Sequence, residues 1–91
     1  AQDESVRIRQ AAQAQLEALT ATAASRDGAV TVTVDGSGAL LALRFSSRAE
    51  DIPRARLAEL VLSLSGEAAA DASRQVRAVV EPVTAAGRAA R

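Results

Sequence analysis

An α+β fold ordered α-β-β-β-α is predicted by three observations on this 91-residue chain. Apolar residues repeat every three or four positions at both ends, they alternate with polar residues in the middle, and Gly-containing turns divide the alternating part. A chain of this length is one domain, residues 1–91, and buries only about 60–65% of its unfolded surface. Its 23 Ala thin the core further, leaving nine Leu, nine Val, Ile8, Ile52 and the lone aromatic Phe45 as the larger apolar residues. With no Cys, neither a disulfide nor a thiolate metal site supplements that core. A second copy of the chain would, so self-association is expected.

Residues 1–19 (AQDESVRIRQAAQAQLEAL) contain no Gly or Pro, and Ile8, Ala12, Leu16 and Leu19 form one apolar stripe at helical spacing. Asp3 and Glu4 near the start suit the helix dipole. A weak strand of small residues follows at Thr20–Ser25. Val30, Val32 and Val34 then alternate with Thr31 and Thr33, and Leu41, Leu43 and Phe45 with Ala42 and Arg44. Asp27-Gly28 reads as a type I′ turn and Gly36-Ser37 as a type II′ turn. A two-residue turn at Gly36-Ser37 pairs Val34 with Ala39, Val32 with Leu41 and Val30 with Leu43, giving a three-stranded antiparallel meander with one apolar face. Pro53 marks the start of a long helix, with Asp51 as a cap. Leu57, Leu60, Val61, Leu64, Ala68, Ala72, Val76, Val79 and Val83 form its stripe, interrupted by Gly66 and followed closely by Pro82.

The chain has no His, Cys or Lys, which removes the usual transition-metal ligands, the commonest general base and the amine and thiol nucleophiles. Ser46 and Ser47 share a loop with Glu50 and Asp51, but nothing there activates a hydroxyl. Gly36-Ser37-Gly38 does not extend to a dinucleotide fingerprint: Leu41 stands at the third glycine position and a strand follows where a helix is required. No enzyme, cofactor or metal site is therefore expected. No apolar run approaches the roughly 18–20 residues of a membrane span, so no membrane partner is expected. The chain opens on Ala, and its start is not read as a native terminus.

Eleven Arg balance eleven Asp and Glu, an all-Arg basic set that with the abundant Ala points to a GC-rich genome. By segment the net charge is −1 over residues 1–19, +1 over 20–49, −3 over 50–71 and +3 over 72–91. Arg74, Arg77 and Arg88 project opposite the apolar stripe of the last helix, with Glu81 among them and Glu59 and Glu67 earlier on the helix. Two readings of this gradient stand side by side: a match to the helix's own dipole, and a basic end that contacts phosphate. A balanced total charge argues against strong non-specific nucleic-acid binding, and the chain has no aromatic platform for stacking on single strands.

The stretches "DGAVTVTVDGSGALLALRF" and "LAELVLSLSGEAAADA" resemble the YbaB/EbfC family of bacterial nucleoid-associated proteins. The strand-pair pattern is met by Gly28, Val30, Val32, Asp35 and Gly36, and the leucine-rich opening of the last helix by Leu57, Leu60, Val61 and Leu64. A frequent Asn-Asp-Ala step of the family is Gly66-Glu67-Ala68 here. The resemblance is strongest over residues 17–80. It implies a homodimer with helices extended like tweezers, in the cytoplasm on the nucleoid, binding duplex DNA with weak sequence preference. The family has no short DNA-contact motif, so the basic residues of the helices, Arg7, Arg9, Arg74, Arg77 and Arg88, are the candidate contacts. The composition looks actinobacterial, and diverged relatives in such bacteria accompany type VII secretion systems. The resemblance thus also implies an alternative, a protein-interaction module or chaperone without DNA binding.

Overall fold

A computed structural model describes the backbone of residues 2–89 and the side chains of residues 4–83. Helix α1 (Gln2–Ala18) leads into strands β1 (Thr20–Ala24), β2 (Val30–Asp35) and β3 (Leu40–Phe45). A short 3-10 turn (Ser47–Asp51) then precedes helix α2 (Arg54–Ala89). The strands form one antiparallel sheet in the order β1-β2-β3. This is the α-β-β-β-α order expected from the periodicities. Asp51, expected to cap the long helix, is instead the last residue of the 3-10 turn, and the Pro53 carbonyl accepts the Leu57 N–H at 3.0 Å as α2 begins.

Both hairpin turns differ from the expected two-residue geometry. The second loop is three residues long: Asp35 N–H donates to the Ala39 carbonyl at 2.9 Å, and Gly38 N–H to the Asp35 carbonyl at 3.0 Å. Gly38 closes it at φ +88°, the left-handed conformation that the last position of such a loop requires. The Asp35 carboxylate accepts from Ser37 Oγ at 2.7 Å and from the backbone N–H groups of Ser37 and Ala39, so the loop is tied from within. In the first loop Ser25 N–H meets the Val30 carbonyl at 2.9 Å, Gly28 turns at φ +74°, and Asp27 Oδ1 accepts from Ala29 N–H and Ser25 Oγ.

The longer loop changes the register. Val30 pairs with Phe45, Val32 with Leu43 and Val34 with Leu40, in place of the expected Leu43, Leu41 and Ala39. Because Thr33 pairs with Ala42 and Val34 with Leu40, Leu41 is the extra residue of a β-bulge. Leu41 therefore leaves the row in which alternation alone puts it. Residues paired directly across strands share a face. Ala21, Ala23, Val30, Val32, Val34, Leu40, Leu43 and Phe45 thus line one side of the sheet. Thr22, Thr31, Thr33, Ala42 and Arg44 line the other, where Thr22 and Thr33 hydroxyls meet at 3.1 Å.

Helix α2 packs on β1 and β2. Val30, Val32 and Val34 are fully buried beneath Leu64, Ala68 and Ala72, and the small residues on both surfaces allow close approach. A helix about 10 Å across covers two strands spaced about 4.8 Å apart and cannot cover a third. Strand β3 is left partly bare: Leu40 is 54% exposed, Leu43 38% and Phe45 52%. Beyond the sheet α2 continues, with Pro82 inside it, and pairs with α1. The molecule is consequently elongated, 59 × 17 × 17 Å, with a head of sheet and helix and an arm of two helices.

Two stability results are expected from this framework. Gly66 lies exposed in α2, and a Cβ there would meet nothing within 4 Å, so Gly66→Ala raises stability by about 0.5–1 kcal/mol through the lost backbone entropy alone. A higher urea midpoint with an unchanged slope checks it; a lower midpoint would place another chain against that backbone. The second concerns acid. Bonds from Ala29 N–H and Ser25 Oγ hold the Asp27 carboxyl below its usual pKa, and those from Ser37 Oγ and Ala39 N–H do the same for Asp35. Carboxyls depressed in the folded state stabilise it above their unfolded pKa of about 4, and that contribution is lost as pH falls through the folded values. Urea midpoints at pH 7 and at lower pH should fall less on acidification for Asp27→Asn/Asp35→Asn than for the parent chain.

Candidate nucleic-acid interface

The arm carries most of the arginines singled out from the sequence. Its two helices run antiparallel, since α1 and α2 share two shallow grooves. One is lined by Ile8, Ala11, Ala12 and Gln15 with Ala78, Val79, Pro82 and Val83, and the other by Gln15, Ala18 and Leu19 with Gln75, Ala78 and Val79. The stripe Ile8–Ala12–Leu16–Leu19 therefore meets the later part of the α2 stripe, as amphipathic helices of this spacing do. Leu19 is buried at the junction with the head, where a Cβ built on Gly36 would stand 3.5 Å from Val76, 3.6 Å from the Leu16 carbonyl and 3.8 Å from Leu19.

Helical spacing places each arginine relative to that seam. Arg7 shares the α1 face of Ala11 and Ala18, positions four and eleven residues on, and these residues line the seam on the side of Gln75 and Ala78. Arg74 and Arg77 stand on the outer face of α2, turned away from its apolar stripe, with Glu81 among them. Arg9 stands on the flank of α1 opposite Arg7, with Gln13 and Leu16. The side chain of Arg88 lies outside the described residues.

Their pairing differs. Arg74 Nη2 lies 3.4 Å from Asp71 Oδ1, and Arg56 Nη1 3.1 Å from Glu59 Oε2, both three residues apart on α2 and both exposed. Pairs of this kind contribute about 0.3–0.5 kcal/mol each. Among the described residues Arg7, Arg9 and Arg77 form no ion pair. Asp71 is absent from the acids weighed from the sequence (Glu59, Glu67 and Glu81), although its spacing from Arg74 is a signal that the sequence carries.

At the head a cleft of about 480 Å³ lies between the first loop and α2, lined by Arg26, Asp27, Ile52, Arg56, Leu60 and Glu67 among others. The Asp27 carboxylate there is engaged in its own turn. Among the described residues no group of three or more acidic side chains is placed to hold a metal ion, and no helix is long and apolar enough to cross a membrane.

A narrow helical arm carries these guanidinium groups on its surface. The profile of the YbaB/EbfC DNA-binding family matches residues 3–87, and the chain belongs to that family, whose members are nucleoid-associated DNA-binding proteins. No curated protein sequence matches it significantly.

Proposed function

We propose that this protein is a homodimer that binds duplex DNA through the arginines of its arms and serves nucleoid organisation or gene expression in the cytoplasm. The observation that carries the reading is that Arg7 and Arg77 stand on the arm of a YbaB/EbfC family member, neither with an ion-pair partner among the described residues. Arg9 and Arg88 are further candidates, whereas Arg74 is engaged by Asp71. Guanidinium contacts to phosphate release counterions and carry no sequence information, so affinity is salt-dependent and sequence preference weak.

Two quantities support the dimer. The chain exposes 6632 Å², whereas a compact monomer of its mass exposes about 5,000 Å². The difference, about 1,600 Å², is of the size that each partner of an obligate dimer buries. Its radius of gyration is 17.7 Å, against about 12 Å for a compact domain of this length. Part of both excesses belongs to the arm, and part to the bare apolar row of β3. Next to that row α2 presents Ala69, whose Cβ a side chain at Gly38 would touch, and on the same flank Leu62, which is 75% exposed. A second copy laid on this face covers Leu40, Leu43, Phe45 and Leu62 of both chains at once, because a two-fold interface repeats every contact.

Binding of a labelled duplex followed at about 50 and 200 mM salt tests the reading. A complex at the lower concentration that weakens steeply at the higher one is expected. No complex at about 50 mM salt overturns it.

A further inference from the structure

The acid beside Arg74 has a geometry that the other acids of α2 lack. Asp71 accepts from two side chains: Arg74 Nη2 reaches Oδ1 at 3.4 Å, and Gln75 Nε2 reaches Oδ2 at 2.9 Å. Its side chain is less exposed than that of Arg74, 42% against 69%. Gln75, half-buried where the helices meet, fixes the carboxylate low on the helix surface while the guanidinium leans over it. The exposed ion pair itself holds Arg74 only weakly. What matters is that the Gln75 bond restrains the carboxylate when another anion approaches.

We infer that Asp71, pinned by Gln75, withholds Arg74 from phosphate and leaves the DNA contacts of the arm to its other arginines. This deepens the DNA-binding reading above and rests on it. A phosphate arriving at a free guanidinium meets one positive charge. At Arg74 it meets a guanidinium already in contact with a carboxylate held by Gln75, a pair that presents little net charge to it. Arg74 then releases few counterions and adds little to affinity. Asp71 is a positioning residue: it acts through the arginine beside it.

A four-member set separates this from simple loss of negative charge: the parent, Asp71→Asn, Arg74→Ala, and the two changes together. Asparagine keeps the size of Asp71 and an acceptor for Gln75 but carries no charge. Each protein is titrated against a fluorescein-labelled duplex across about 50–200 mM salt, with thermal melting by circular dichroism to confirm folding. Arg74→Ala alone changes affinity less than about twofold. Asp71→Asn strengthens binding about fivefold at the lowest salt and steepens the logarithmic salt dependence by about 2 for a dimer, one new phosphate contact per protomer. Adding Arg74→Ala to Asp71→Asn returns both values to those of the parent. An Asp71→Asn protein that binds like the parent overturns the inference, and so does a gain that survives removal of Arg74, which would be charge removal alone. A parent that binds no DNA removes the functional reading itself, an outcome distinct from either of these.

Discussion

Leu43→Asp is expected to convert a dimer into monomers, and Phe45→Asp to do the same. Both side chains stand on the face of β3 that α2 leaves bare, opposite Val32 and Val30. Covering a Leu or Phe contributes about 1.5–3 kcal/mol, and a carboxylate in its place adds the cost of desolvating a charge. Two-fold symmetry counts each change twice, so the dimer weakens by about 4 kcal/mol or more, about a thousandfold in dissociation constant. Light scattering at micromolar protein reads the change in mass. If the monomer does not fold alone, a concentration-dependent loss of helical signal reports the same event. Ala42→Asp is the control, because Ala42 pairs with Thr33 on the open side of the sheet and its variant should remain dimeric. Equal behaviour of the Ala42 and Leu43 variants would rule this face out as the interface.

Removing Arg7 and Arg77 together is expected to cost DNA binding about 100-fold at about 50 mM salt. The double change deletes four guanidinium groups per dimer from the arms. Each lost phosphate contact lowers the logarithmic salt slope by about 0.9, so the slope should become shallower by about 3–4. The loss should be nearly uniform across DNA sequences, since phosphate contacts position a protein without reading bases. Arg44→Ala serves as the control: Arg44 stands opposite Thr31 on the open face of the sheet, away from the arm. A salt slope equal to the parent's in the Arg7/Arg77 variant would place the DNA contacts elsewhere.

The ease with which parts of this structure are read from sequence follows from how local their causes are. Val30–Val34 alternate strictly, and all three valines are fully buried, because strand period and burial are the same fact seen twice. The stripe of α2 is legible for a similar reason, and its helix runs through Gly66 and Pro82 because tertiary packing along its length outweighs two unfavourable residues. The register of β3 is not legible. It turns on a third loop residue and a bulge at Leu41, and a Leu-Leu step reads equally well in either register. The candidate site was half legible. Helical spacing places Arg74 and Arg77 on the outer face of α2, but where Arg7 and Arg9 lie beside them depends on how α1 packs against α2, a tertiary fact with no local signature. The Asp71–Arg74 pair was open to the same spacing argument that found the arginines.

Pro82 has a mechanical consequence for the arm. Lacking an N–H, it cannot donate to the carbonyl four residues earlier, at Ala78, so one link of the α2 ladder is missing within the stretch that packs on α1. Bending stiffness in a helix comes from that ladder, and a helix deformed from its end yields first where a rung is absent. A sideways load on the end of the arm is therefore taken up around Ala78–Pro82 and does not reach the valine-lined junction of sheet and helix. The head can stay rigid while the end of the arm moves.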